Sequence, residues 1–227
     1  MQPDYAMAHA LLAAVHSLRA VSMAFPNRDE ERAAARQHAE LALRMEPDNA
    51  FVLIHCAEAL LYSAGDLDSA KAMLEQAADL GSNEPHGLAL LGQVRRLTGE
   101  DPQACLALIQ KARRFSPRDP RTSRWHYFAS WCHFKMRDFK SMEAECRKSI
   151  SLYSNHGWSW LALVGSLGCQ ERLPEAKQAS KVLHEILPEF SPDGYYDTVR
   201  RLYGRHFTNA IEARYSELRE VLSRSKP

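Results

Sequence analysis

The sequence has no Cys-x-x-Cys pair, no glycine-rich loop of the GxGxxG kind, and no apolar run near the roughly 18 residues that a membrane-spanning helix needs. Each absence removes a class of function. The five cysteines, Cys56, Cys105, Cys132, Cys146 and Cys169, are odd in number and widely spaced. That spacing argues against a disulfide framework and a zinc site, and leaves them as small core residues in a reducing compartment. GxSxG and HExxH are also missing, so neither a nucleophile elbow nor a zinc-hydrolase helix is indicated. Charge of one sign is not in excess: the net charge is +1, which gives no global field to recruit nucleic acid or anionic lipid. The amino terminus lacks a charged-then-apolar leader, and a cytoplasmic protein is expected. With 45% hydrophobic and 25% charged residues, the composition is that of an ordinary globular chain.

What the sequence does contain is a period. A small residue recurs with another seven later and a stop five beyond that: Ala35, Ala42, Pro47; Ala70, Ala77, Ser82; Cys105, Ala112, Pro117; Met142, Ser149, Ser154; Ala176, Leu183, Pro188. Successive stops lie 34 to 37 residues apart. An earlier Pro3 fits one more unit lengthened by an insertion. Each unit reads as two helices joined by a short turn such as AGDLD (Ala64 to Asp68) or TGED (Thr98 to Asp101). Small residues let two helix backbones approach closely, and the proline ends the unit because it lacks an amide hydrogen and disfavours helix in the residue before it. One such pair cannot bury its apolar face alone, whereas stacked pairs can.

This pattern resembles the tetratricopeptide repeat. The best match is Gly157 to Phe190, with Trp160, Leu163 and Leu167 in the large-residue places of the first helix and Ala176 and Pro188 in those of the second. Asn83 to Gly99 follows, with Leu88, Leu91 and Gly92 in the tryptophan-leucine-glycine places. The unit around Met142 departs most, and wider packing is expected there. The resemblance implies an all-α fold, a right-handed superhelical solenoid of about five helix pairs plus a C-terminal capping pair. Residues 1–190 form the array, with units at about 6–49, 50–84, 85–122, 123–156 and 157–190, and residues 191–227 cap it within the same domain. The cap breaks the period but keeps apolar spacing at Val199, Leu202, Tyr203 and at Ile211, Tyr215, Leu218, Leu222. At the other end, QPD followed by YAMAHALL reads as the tail of one repeat and the start of the next, so a preceding segment is expected. The insertion AVSMAFPNRDEERAAARQHAEL reads as a lengthened first pair, with Pro26, Asn27 and Asp29 as turn and cap and Glu30 and Glu31 in the favourable first turn.

Candidate chemistry is sparse. Among ten histidines, His126 and His133 share a helical face beside Cys132. Two turns separate them by about 10.5 Å along the axis, too far for both to hold one ion without a third element. Glu143 and Glu145 point to different sides of their helix and read as solvated charge. No enzymatic activity, metal or cofactor is expected; binding is. The resemblance implies that the first helix of each pair lines a concave groove, which carries onto Phe51, Ile54, Glu58 and Leu61; Gln93 and Arg96; Arg124, Tyr127, Trp131 and Phe134; and Trp158 and Leu161. The Lys and Asn lattice with which relatives grip chaperone C-termini is not reproduced. Aromatic and arginine side chains dominate interface energetics, so a protein or peptide partner with apolar anchors is expected. Two other readings stay open: some of these rings are core, or the C-terminal cap folds back into the groove.

The phrases QPDYAMAHALLAAV, ALRMEPDNA, ARRFSPRDPR and EARYSELREVL resemble the C-terminal repeat region of bacterial class III adenylate/guanylate cyclase-like proteins and, equally, of winged-helix transcriptional regulators. The implied role is a regulatory interaction module in a larger signalling protein, its partner being another protein or the output domain of its own parent. A homodimeric scaffold through the terminal helices is the alternative. A nucleic-acid binder using Arg113, Arg114, Arg118, Arg121, Arg124, Arg200, Arg201 and Arg205 is disfavoured by the near-zero net charge.

Overall fold

The computed structural model describes residues 5–21, 27–203, 206 and 209–226; of Arg201, Leu202, Asn209, Ala210 and Ile211 only the backbone is described. Pro3, Pro26, Arg205 and the QPD segment lie outside the described residues, and the side chains of Arg201, Leu202 and Ile211 likewise. All regular elements among the described residues are helical: α1 (Ala6–Val21), α2 (Arg28–Met45), α3 (Ala50–Ser63), α4 (Leu67–Asp79), α5 (Pro85–Leu97), α6 (Pro102–Phe115), α7 (Thr122–Lys135), α8 (Phe139–Leu152), α9 (Gly157–Cys169), α10 (Leu173–Ile186), α11 (Pro192–Tyr203) and α12 (Asn209–Arg224). They form two compact units, Met1–Thr98 and Gly99–Pro227.

In the first unit α1 packs on α2 and α3, α2 on α3, α3 on α4, and α5 on α4 and α3. In the second α7 packs on α6, α8 and α9, α9 on α8 and α10, and α12 on α11 and α9. This is the neighbour-to-neighbour packing of stacked helix pairs. The paired positions seven apart that mark the period, Ala35, Ala42, Ala70, Ala77, Cys105, Ala112, Met142, Ser149, Ala176 and Leu183, are all buried. Alanine dominates where α1, α2 and α3 meet, through Ala6, Ala10, Ala13, Ala39, Ala42 and Ala59 around Val52 and Cys56. Cys56, Cys105, Cys132 and Cys146 are buried free thiols and Cys169 is partly so.

Caps explain where the helices begin. Asn49 accepts from the amides of Phe51 and Val52 at the start of α3, Asp66 from Ser69 at α4, Asp101 from Gln103 and Ala104 at α6, and Asp138 from Ser141 at α8. Asn27, expected as a cap, precedes α2 without a side-chain cap hydrogen bond, while Asp29, Glu30 and Glu31 do occupy the first turn.

The turns inside the pairs share one geometry with different residues. The second residue after α3 and α5 is Gly65 (φ 65°) and Gly99 (φ 95°), whereas after α7 and α9 it is Arg137 (φ 59°) and Glu171 (φ 60°). A left-handed residue after a helix satisfies the last carbonyls, and glycine is the residue that adopts it without steric cost. Glu171 donates its amide to Gly168 O at 3.0 Å, so the conformation is held although the residue type opposes it. Glu171→Gly is therefore expected to raise stability by about 0.5–1 kcal/mol in urea unfolding. A loss of stability would show that the glutamate side chain contributes more than its backbone strain costs.

Candidate functional site

The expected groove residues fall into two sets, one in each unit. In the first, Phe51 is half-buried at the start of α3 and stacks on His55 with ring centroids 4.2 Å apart. Ile54 and Leu61 are core residues. Glu58, Gln93 and Arg96 are buried, at 3%, 6% and 4% exposure. Such groups are tolerated inside only with partners. Glu58 accepts from His86 Nε2 at 2.8 Å, and Arg96 Nε donates to Gln93 Oε1 at 3.2 Å. Beside them His55 is held below the ordinary histidine value, chiefly by burial. The family register put these residues on one face; the structure shows two buried polar pairs, Glu58 with His86 and Gln93 with Arg96.

In the second unit α7 and α9 carry Arg124, Tyr127, Trp131, Phe134, Trp158 and Leu161. Phe134 and Leu161 are buried, and Trp131 is 2% exposed. Arg124, Tyr127 and Trp158 are half-buried. The rings form a connected series. Tyr127 meets Trp131 edge-on at 6.2 Å and His156 at 5.3 Å, and Trp131 meets Phe134 at 5.3 Å. Arg124 lies over the Phe128 ring at 5.7 Å, a cation–π geometry.

The C-terminal helix lies on this face. Tyr215 of α12 stacks on Trp131 at 6.0 Å with 19° between the planes, and also meets Tyr195 of α11, which meets Trp158 at 6.0 Å. Leu218, Val221 and Leu222 are buried, and Arg137 donates two hydrogen bonds to Glu217, at 3.1 and 3.2 Å. The approach to α9 is close enough that a Cβ on Gly165 would lie 2.6 Å from Leu218 Cδ1, and one on Gly168 2.2 Å from Val221 Cγ1. Of the readings open at the sequence level, burial under the folded-back C-terminal helix describes Trp131.

The basic stretch around Arg113 is committed elsewhere. Arg113 donates to both carboxylate oxygens of Glu145, at 2.8 and 3.0 Å, and His126 Nδ1 donates to the same group at 2.5 Å. Burial would raise the Glu145 pKa, but the hydrogen bond from His126 and the charge of Arg113 outweigh it and hold the group below the ordinary carboxylate value. Glu143 faces the other way and accepts from Arg147, Arg172 and Gln170. The reading of both glutamates as solvated charge is thus corrected: each joins an ion-pair cluster, Glu145 with Arg113 of α6 and His126 of α7, Glu143 with Arg147 of α8 and with Gln170 and Arg172 of the turn between α9 and α10. Arg121 pairs with Asp119 at 2.9 Å, and Arg200 approaches Glu212 at 4.0 Å.

His126 is accounted for by Glu145, and His133 lies 3.5 Å from Asp138. His9, His16 and His38 stack ring on ring, at 5.0 and 5.6 Å, with His9 Nδ1 2.8 Å from His38 Nδ1. Among the described residues no group of three or more His, Cys, Asp or Glu side chains could hold a metal ion, and no helix is long and apolar enough to cross a membrane.

Helix pairs of this length, stacked through small residues, define the tetratricopeptide-repeat fold, and solved structures agree. A tetratricopeptide protein from Thermus thermophilus, TTC0263, superposes with a TM-score of 0.63 at 18% identity, covering 88% of this chain and 98% of that one. PilW, a type IV pilus biogenesis factor, gives 0.62 at 18% identity over 93% and 96%. YrrB, a tetratricopeptide protein with an unusual peptide-binding site, gives 0.51 at 16% identity over 71% and 80%. No family model matches the sequence, and no curated protein matches it. At these identities the likeness establishes the fold.

Proposed function

We propose that the chain is a non-catalytic protein-interaction module that takes a peptide, helix or partner domain on the face formed by the first helices of its pairs. The observation that carries this is in the second unit: Arg124, Tyr127 and Trp158, residue types that dominate interface energetics, are half-buried rather than core residues on α7 and α9. YrrB, which shares the fold, has a peptide-binding site. The regulatory setting suggested by ARRFSPRDPR and its companion phrases belongs to the same reading: a module of a larger cytoplasmic signalling protein, of the cyclase or winged-helix kind, whose partner is another protein or its parent's own output domain. Nucleic acid fits less well, because Arg113 and Arg121 are already paired.

The test is site-resolved cross-linking in cells. A photoreactive amino acid replacing Tyr127 or Trp158 is expected to give discrete protein adducts, and one replacing exposed Lys148 on α8 is not. Equal adducts from all three positions, or none from the first two, would remove this face as the binding surface. A second reading has its own observation: Leu11 and Val15, one turn apart on α1, are 45% and 49% exposed, which suits a homodimer through the terminal helix. Sedimentation over a concentration range tests it, and a strict monomer excludes it.

A further inference from the structure

The helix lying on α7 and α9 is not where regular stacking would put it. Second helices pack on their own first helix and on the next one, as α8 does on α7 and α9. α12 packs instead on α9, the first helix of the preceding pair, and in that pair α10 makes no comparable contact with α7. It therefore occupies the face on which the proposed partner would bind.

The surface it occupies is shaped for a helix. Gly165 and Gly168 sit inside α9, where glycine is less favourable than alanine. Their positions are the ones where any side chain would collide with Leu218 and Val221. The cost to α9 is matched by a groove deep enough to seat a second helix. Trp131 supplies an aromatic platform at one end, meeting Tyr215, and Arg137 a cation at the rim, meeting Glu217. On its other side α12 meets α11 through the Tyr215 and Tyr195 rings, 6.4 Å apart, and through polar contacts at the rim: Tyr196 donates to Glu212 at 3.1 Å, and Arg219 lies over the Tyr196 ring at 4.8 Å and 3.8 Å from Asp193.

We propose that α12 is a built-in competitor for the groove of the second unit. The natural ligand is then an amphipathic helix of α12's own pattern: an aromatic residue, an acid two positions on, and apolar residues three, six and seven positions after the aromatic, as in Tyr215, Glu217, Leu218, Val221 and Leu222. A partner must displace α12 to bind. This rests on the reading above that the first-helix face is the binding surface, and it adds the ligand class and its control. A tethered helix acts at an effective concentration of roughly millimolar, so a free helix of the same sequence at micromolar concentration cannot compete until the tether's hold is weakened.

The experiment uses the full chain and a fluorescently labelled peptide of residues 209–226, with binding read by anisotropy. Leu218→Ala with Val221→Ala weakens α12 and leaves the groove intact; this variant is expected to bind the peptide at least tenfold more tightly than the wild type. Adding Gly168→Leu, which fills the groove, is expected to abolish the gain. Glu217→Arg, an exposed charge reversal that leaves the buried contacts in place, keeps the test decisive if the double variant unfolds; it is expected to give a gain of about threefold, the loss of one partly exposed ion pair. Peptide affinity equal to wild type in both weakened variants would overturn the proposal, as would a gain that survives Gly168→Leu. The two readings fail separately. Peptide binding without cellular adducts at Tyr127 or Trp158 sinks the interaction function alone, whereas adducts without any gain in the weakened variants sink the competitor role alone.

Discussion

Trp125→Ala is expected to lower the unfolding free energy by about 3–5 kcal/mol, the range for removing a fully buried large aromatic side chain. Trp125 is among the largest side chains with no solvent exposure, and it sits in α7, whose neighbours α6, α8 and α9 depend on it for packing within the second unit. Its loss leaves a cavity that stiff helices cannot collapse to fill. Trp125→Phe separates packing from polarity. The indole nitrogen is buried without a hydrogen-bond partner, which costs about 1–3 kcal/mol in the folded state. Phenylalanine discards that donor together with part of the volume, so its net cost is expected to be well under half that of alanine. Urea titration followed by far-ultraviolet circular dichroism measures both. A Phe variant as damaged as the Ala variant would mean that the indole's shape, and not merely a large ring, is required.

The repeat was readable because it rests on local rules. Small residues seven apart mark where two helices touch, and all ten such positions named from the sequence are buried. The unit that departs from the pattern is informative about why. Ser149, standing where alanine is usual, is fully buried because its hydroxyl donates to Ser123 O at 2.7 Å and lies 2.7 Å from Ser159 Oγ. Its partners are 26 and 10 residues away, so no local pattern announces them. The left-handed turns show the same divide: glycine signals them at Gly65 and Gly99, and nothing signals them at Arg137 and Glu171. For the candidate site, the register implied by the family resemblance picks out the face of each first helix but not what covers it. Trp131 is covered by Tyr215, far along the chain, and Glu145 is claimed by Arg113, 32 residues before it. The apolar spacing of Tyr215, Leu218 and Leu222 did indicate an amphipathic helix; the two glycines of α9 that receive it carried the missing signal, since they are costly there without a partner helix.

Acidification is expected to destabilise the second unit through His156. Burial, and after it the charge of Arg124, pushes this imidazole from its ordinary 6.5 down to about 4. The ring is neutral in the folded protein, where Nδ1 lies 2.6 Å from Ser159 Oγ; because Ser149 gives its proton to Ser123 O, Ser159 donates to Ser149 and accepts from Nδ1. The unfolded chain takes up a proton near 6.5 and the folded chain only near 4, so in that interval the unfolded state binds more protons. Stability contributed by the neutral ring is therefore full above 6.5, falls as the pH drops, and is gone below about 4, a loss of about 3 kcal/mol by proton linkage. Glu143 and Glu145 have their pKa lowered from 4.5, so they contribute in the same direction only at the acid end of this window. His38 and His55, also lowered, lie in the first unit and titrate in wild type and variant alike. His156→Asn isolates the effect: the amide NH2 can donate to Ser159 Oγ in place of Nδ1 but does not titrate. Its stability relative to wild type is expected to rise by about 3 kcal/mol between neutral pH and pH 4, read from urea midpoints across the range. Parallel pH profiles for the two proteins would show that the imidazole is protonated in the folded state and that burial does not exclude the charge.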